Sequence, residues 1–134
     1  MNTRIVMIAS ALVLGLLGLI ASFLPHEVLA YAGEVSTGLL PFLVQIIGAL
    51  YLGFAMMNWT AKDSLIGGIY NRPVAFGNFM HFVVGAIALG KGAVALSFTT
   101  PLVLAAILYA IFAIAFAIVF FTSPVKRNDA TPAA

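Results

Sequence analysis

The stretch LVLAAILYAIFAIAFAIVFF, residues 102–121, contains no Asp, Glu, Lys or Arg. A helix needs roughly 20 predominantly apolar residues to cross a hydrocarbon core of about 30 Å, and this stretch has that length. A lipid-exposed strand would leave its edge N–H and C=O groups unsatisfied. The chain shows no series of roughly ten-residue alternating segments, so a membrane β-barrel is not indicated. Residues 102–121 therefore read as a membrane-spanning helix.

Outward from this stretch, the charged residues act as punctuation. Lys91 and Lys126 are separated by 34 residues free of Asp, Glu, Lys and Arg, Arg4 and Glu27 by 22, Glu34 and Lys62 by 27, and Arg72 and Lys91 by 18. The span that starts after Arg72 must run past Lys91 to reach the break at Thr99-Thr100-Pro101. The expected architecture is all-α, with transmembrane helices at 5–24, 39–59, 74–96 and 102–121. They form an antiparallel up-down-up-down four-helix bundle in one domain covering 1–134. Proline marks the ends. Pro25 stops the first helix. Pro41, Pro73 and Pro101 sit in or just before the first turns of the other three, where a missing N–H costs nothing. Pro124 follows the last. The first segment has Arg4 before an apolar stretch, as a signal peptide does. That stretch exceeds the usual core of about 7–15 residues, so an uncleaved helix is expected.

Composition agrees. Of 134 residues, 63% are hydrophobic and 7% charged, against about 25% charged in a soluble domain. Six Lys and Arg with four Asp and Glu cannot cover a water-facing surface. A soluble enzyme, a nucleic-acid binder and a disordered regulator are excluded on that ground. Cysteine is absent, which removes disulfide frameworks, thiolate nucleophiles and Cys-ligated metals.

Threading four helices in series puts Arg4, Lys62, Arg72, Lys126 and Arg127 on one side. Glu27 and Glu34 fall on the other, in the connection 26–38. The positive-inside rule then places both termini in the cytoplasm. Lys91 alone disagrees, and it lies within a helix.

Small residues recur at four-residue spacing, as close helix packing in lipid requires. Examples are Ala11 with Gly15, Gly18 with Ser22, and Ala49 with Gly53. Gly77, Gly85, Ala88 and Gly92 follow in the third helix, and Ala106, Ala110, Ala113 and Ala117 in the fourth. Phe112, Phe116 and Phe120 form a separate row, facing lipid or core.

Polar groups inside spans are costly and point to function. Gln45 and Lys91 both lie roughly 8–9 Å below the outer boundary at 1.5 Å per residue. Lys91 either snorkels to the head groups or faces the bundle and pairs with Gln45, Glu27 or Glu34. His81 lies roughly 10 Å from the inner end of the third helix, with Asn78 one turn earlier on the same face. Asn58 and Trp59 end the second helix at the inner side, and Tyr70, Asn71 and Arg72 precede the third. One account of these seven residues is interface anchoring, capping and helix glue. The other is a ligand pocket at the inner mouth, with His81 titrating and Arg72 facing an anionic head group.

Several chemistries are refused. Bis-His haem needs histidines at matching depth, and His26 is on the opposite side. No intramembrane Asp or Glu is available for proton-coupled exchange, which separates the chain from small four-helix multidrug exporters. No HExxH, Walker A, GxSxG or dinucleotide fingerprint occurs. Gly67-Gly68 is only a turn signal. No catalytic or metal residue is assigned.

The layout resembles the DoxX-like group of small bacterial four-helix membrane proteins. The similar features are the basic N-terminus, the Phe23-Leu24-Pro25 ending and the run Gly48-Ala49-Leu50-Tyr51-Leu52-Gly53. The segment Ile66-Gly67-Gly68-Ile69-Tyr70-Asn71-Arg72-Pro73, followed by Gly77-Asn78 and His81-Phe82, looks like a signature of its own. Some DoxX-like proteins accompany quinone-linked oxidoreductases, so the resemblance implies a quinone or partner-subunit role in a bacterial inner membrane. The resulting expectation is a non-enzymatic, multi-pass membrane protein in contact with membrane lipids. It would bind a lipid-like or quinone-like ligand, or a partner subunit or second copy of itself. A small oligomeric transporter or channel is the alternative. A membrane enzyme has only His81 and Lys91 as acid–base groups and ranks last.

Overall fold

The computed structural model describes residues 2–63, 72–96 and 100–122. All regular structure among them is α-helical: α1 Thr3–Phe23, α2 Pro25–Tyr31, α3 Leu40–Ala61, α4 Arg72–Ala95 and α5 Thr100–Thr122. α1, α3, α4 and α5 are long and apolar enough to cross a membrane. With 21 to 24 residues each, they extend about 31–36 Å. The chain is a multi-pass membrane protein of the all-α class, with the four expected spans. The helices fall into two units: α1, α2 and α3 within Asn2–Asp63, and α4 with α5 within Ser64–Ala134.

Helix ends follow local chemistry. The Asn2 side chain caps α1 by accepting from the Arg4 backbone N–H at 3.1 Å, satisfying one of the orphan donors of a helix start. α3 runs two residues beyond the expected end at Trp59. The Thr60 hydroxyl donates back to the Met56 carbonyl at 2.9 Å, and Lys62 Nζ donates to the Trp59 carbonyl at 3.1 Å. No proline or glycine interrupts the chain there. Arg72 and Thr100, expected before their helices, are the first residues of α4 and α5.

The connection 26–38, expected as a loop, contains the seven-residue helix α2. Leu24 breaks the helical run at φ −125° and ψ 47°, and Pro25 takes the first position of α2. Its fixed φ and absent N–H suit that position as well as they suit a stop. Glu27 lies in the first turn, where the positive end of the helix dipole favours a carboxylate.

In the first unit, α1 and α3 are antiparallel. Arg4 faces Asp63, Ser10 faces Asn58, Gly15 faces Ala55 and Ser22 faces Gln45. Lipid supplies no hydrophobic drive between helices, so van der Waals contact must hold them. Gly18 and Gly48 allow it. A methyl group on Gly18 would lie 2.9 Å from the Leu52 nitrogen and 3.0 Å from the Gly48 oxygen. One on Gly48 would lie 2.6 Å from the Ser22 nitrogen. The seam therefore uses Gly48 and not the expected Ala49–Gly53 pair. Ala49 is exposed, and a methyl on Gly53 would meet nothing within 4 Å.

In the second unit, α4 and α5 are antiparallel along an aromatic seam. Phe82, fully buried, has ring-centroid distances of 5.2 Å to Tyr109, 4.9 Å to Phe112 and 5.6 Å to Phe116. Phe76 meets Phe120 at 5.3 Å. Gly85 leaves room for the Tyr109 ring, two of whose carbons would lie 2.6 Å from a methyl there. The row Phe112, Phe116 and Phe120 is thus seam, not lipid surface. On α5, Leu104, Ile107, Ile111, Ile114, Ile118 and Phe121 are exposed at alternating three- and four-residue spacing, the stripe expected to meet lipid.

Gly48→Ala should lower stability by about 1–3 kcal/mol, the usual cost of overpacking a filled site. Gly53→Ala should be neutral or slightly stabilising. Thermal and denaturant unfolding in detergent would compare them, and equal effects would contradict the described seam.

Candidate functional site

The polar residues expected to form one inner-mouth cluster divide between the two units. Asn58 and Trp59 lie on α3; Arg72, Asn78 and His81 lie on α4. Tyr70 and Asn71 lie outside the described residues, as do Lys126 and Arg127 of the orientation argument.

Asn58 is fully buried. Its Nδ2 donates to the Ser10 hydroxyl at 3.0 Å, and that hydroxyl donates to the Met7 carbonyl at 3.0 Å. Ser10, also fully buried, was not singled out from the sequence. No sequence signal pairs it with Asn58, because Ser10 lies six residues from Arg4 and Asn58 only four from Lys62. Because α3 continues to Ala61, Asn58 is an interior residue that ties two helices rather than an end cap.

Trp59 is exposed, with Lys62 Nζ 4.3 Å from its ring centroid. Arg4 Nε forms an ion pair with Asp63 at 3.0 Å, and Lys62 approaches the same carboxylate at 3.5 Å. Arginine, lysine, an indole and one carboxylate thus gather at this end of α1 and α3. Trp at head-group level and cations beside it fit a membrane boundary. The ion pair itself is solvent-exposed and worth little.

On α4, Asn78 is fully buried and donates from Nδ2 to the Val74 carbonyl at 2.9 Å. His81 is half-buried. Its ring lies 5.0 Å from Phe82 and 5.6 Å from Tyr109, centroid to centroid. The same Tyr109 fills the notch at Gly85. Arg72 is exposed at the start of α4, its guanidinium carbon 5.8 Å from the Phe120 ring centroid. This face of α4 thus combines an imidazole, a buried amide and a wall of rings. The rings are packed in the α4–α5 seam, and the half-buried imidazole lies at its margin.

Gln45 is exposed and donates from Nε2 to the Ser22 carbonyl at 3.4 Å, across the α1–α3 seam. Lys91 is exposed on α4. Among the described residues no three His, Asp or Glu side chains come together as a metal site would require.

The chain matches no protein-family model, no curated protein and no solved structure. The chemistry of the site rests on its own residues.

The Ser10–Asn58 contact should be measurable as a coupling. In a double-mutant cycle of Ser10→Ala and Asn58→Ala, denaturant unfolding should give an interaction energy of about 0.6–1.7 kcal/mol, the range for hydrogen bonds between membrane helices. Additive losses would show that the bond contributes nothing.

Proposed function

We propose that this multi-pass membrane protein is a non-enzymatic binder of a lipid-like or quinone-like ligand, or of a partner membrane subunit, through the face of α4 that carries His81. The observation that carries the reading is the place of the imidazole. It is half-buried within a span and lies against Phe82 and Tyr109. A polar ring in a span is costly unless it has a role. A half-buried hydrogen-bonding ring at the margin of an aromatic seam suits a flat or amphipathic head group. Asn78, one turn before, is fully buried and bonds back to Val74, so it braces the helix beneath His81. Arg72, at the helix start, suits an anionic head group. The DoxX-like layout supports a quinone as one ligand of this class. Asn58 belongs to the helix-tying contact with Ser10, and Trp59 to the boundary cluster with Lys62.

Native mass spectrometry of the protein released from lipid nanodiscs tests this. The wild type should carry a stoichiometric small adduct or partner, the His81→Ala variant should lose it, and Met80→Ala should keep it. Retention by His81→Ala would remove the site.

The proposed location is a bacterial inner membrane, with both termini in the cytoplasm. The distribution of Arg4, Lys62 and Arg72 against Glu27 and Glu34 supports this orientation. The chain has no cysteine, so one introduced thiol is a unique label. An impermeant maleimide should modify Glu34→Cys in right-side-out membranes and Ser64→Cys only after they are opened. The reverse pattern would invert the topology.

A further inference from the structure

The connection between α1 and α3 presents a surface separate from the α4–α5 seam. With 21 residues, α1 extends about 31 Å, close to the hydrocarbon thickness of about 30 Å. Its end at Phe23 therefore reaches the edge of the hydrocarbon. Only Leu24 separates it from α2. Pro25 and Leu29 of α2 are buried, so α2 cannot stand away into water without exposing them.

The connection is tightly built. Just past the Ala32 C-cap of α2, Gly33 takes φ +78°, a left-handed conformation that glycine adopts without steric cost. The Glu34 N–H donates to the Leu29 carbonyl at 2.9 Å, and the Gly33 N–H donates to the Ala30 carbonyl at 3.1 Å. Together these bonds form a Schellman cap. His26 Nδ1 and the Ser36 hydroxyl then share a hydrogen bond that closes the segment on itself.

This fixed segment holds large apolar groups outward. Tyr31 is 79% exposed and Val35 72%, flanked by Phe23 at 74% and Leu39 at 67%. His26, Glu27 and Glu34 are exposed beside them. A purely apolar surface would belong in hydrocarbon, and a purely charged one in water. A tyrosine, aliphatic groups and carboxylates together at the end of a span match the head-group layer.

We infer that residues 24–39 form an interfacial collar that lies in the head-group layer, with Tyr31 and Val35 at the acyl boundary and Glu27 and Glu34 toward water. The partner of this surface is lipid. Leu16 and Ile20 on α1 and Phe42 and Ile46 on α3 are large apolar groups that are exposed as well.

The chain has one tryptophan, so Trp59→Phe with Tyr31→Trp gives a single depth probe. The protein would be placed in phosphatidylcholine bilayers brominated either near the head of the acyl chain or near its end. The collar predicts that the shallow bromines remove roughly half of the emission, the deep ones clearly less, and that aqueous acrylamide quenches weakly. Free access for acrylamide with no lipid quenching would overturn it, placing Tyr31 in water. Protection from both quenchers would also overturn it, in favour of a protein partner. Stronger quenching by the deep bromines would place the segment inside the hydrocarbon and equally refute the collar. Should the Tyr31→Trp protein fail to fold, Val35→Trp in the same background gives the same discrimination.

Discussion

Backbone contact at Gly18 and Gly48 sets the distance between α1 and α3, and the polar contacts along that pair depend on it. The Ser22 carbonyl comes within 3.4 Å of the Gln45 amide because the helices meet at the two glycines. Farther along, the same approach brings Asn58 within 3.0 Å of the Ser10 hydroxyl. In lipid the driving forces are contact and hydrogen bonding, since expulsion of water contributes little. Removing two side chains is therefore what lets three polar ones find partners.

α4 and α5 solve the same problem with bulk. Phe82 lies among Tyr109, Phe112 and Phe116, and Gly85 provides a recess under the Tyr109 ring. Stacked and edge-on rings contribute beyond their buried area. The two seams should respond differently to substitution. The first is intolerant of added volume at Gly18 and Gly48, while the second depends on ring shape and on Tyr109 keeping its recess. His81 occupies the margin of the second seam, which is why its surroundings are aromatic rather than polar.

The four spans were legible because charge is so scarce. Arg4, Glu27, Glu34, Lys62, Arg72 and Lys91 leave few places for a hydrocarbon crossing to begin or end, and prolines lie close to those places. α2 was not legible, because Pro25 was read only as a stop. Proline at a first helical position also starts a helix, and nothing in the residue type distinguishes the two uses. The choice of Gly48 over the Ala49–Gly53 pair was hidden for a related reason. Small residues one position apart lie on different faces, and the spacing within one helix does not say which face meets the neighbour. The sequence places Asn58 at a boundary because no residue type marks the continuation of α3 to Ala61, and those two further residues put it in the interior. Ser10 escaped because a lone serine resembles the alanines and glycines around it. His81 and Asn78 stand out in the sequence as polar groups within a span, while the rings of Tyr109 and Phe82 beside the histidine come from the α4–α5 pairing.

The ion pair between Arg4 and Asp63 has a consequence for biogenesis. It joins the two ends of a unit, Asn2–Asp63, in which α1 and α3 pack along a seam of their own. This helical hairpin needs no residue that is translated later to complete its seam. Once Asp63 has left the ribosome, α1 and α3 hold everything required to close on each other in the bilayer. Domains that emerge first generally fold first, and hairpins dominated by near-neighbour contacts form quickly. The first half of the chain can therefore enter the membrane as a finished piece, while α4 and α5 are still being made.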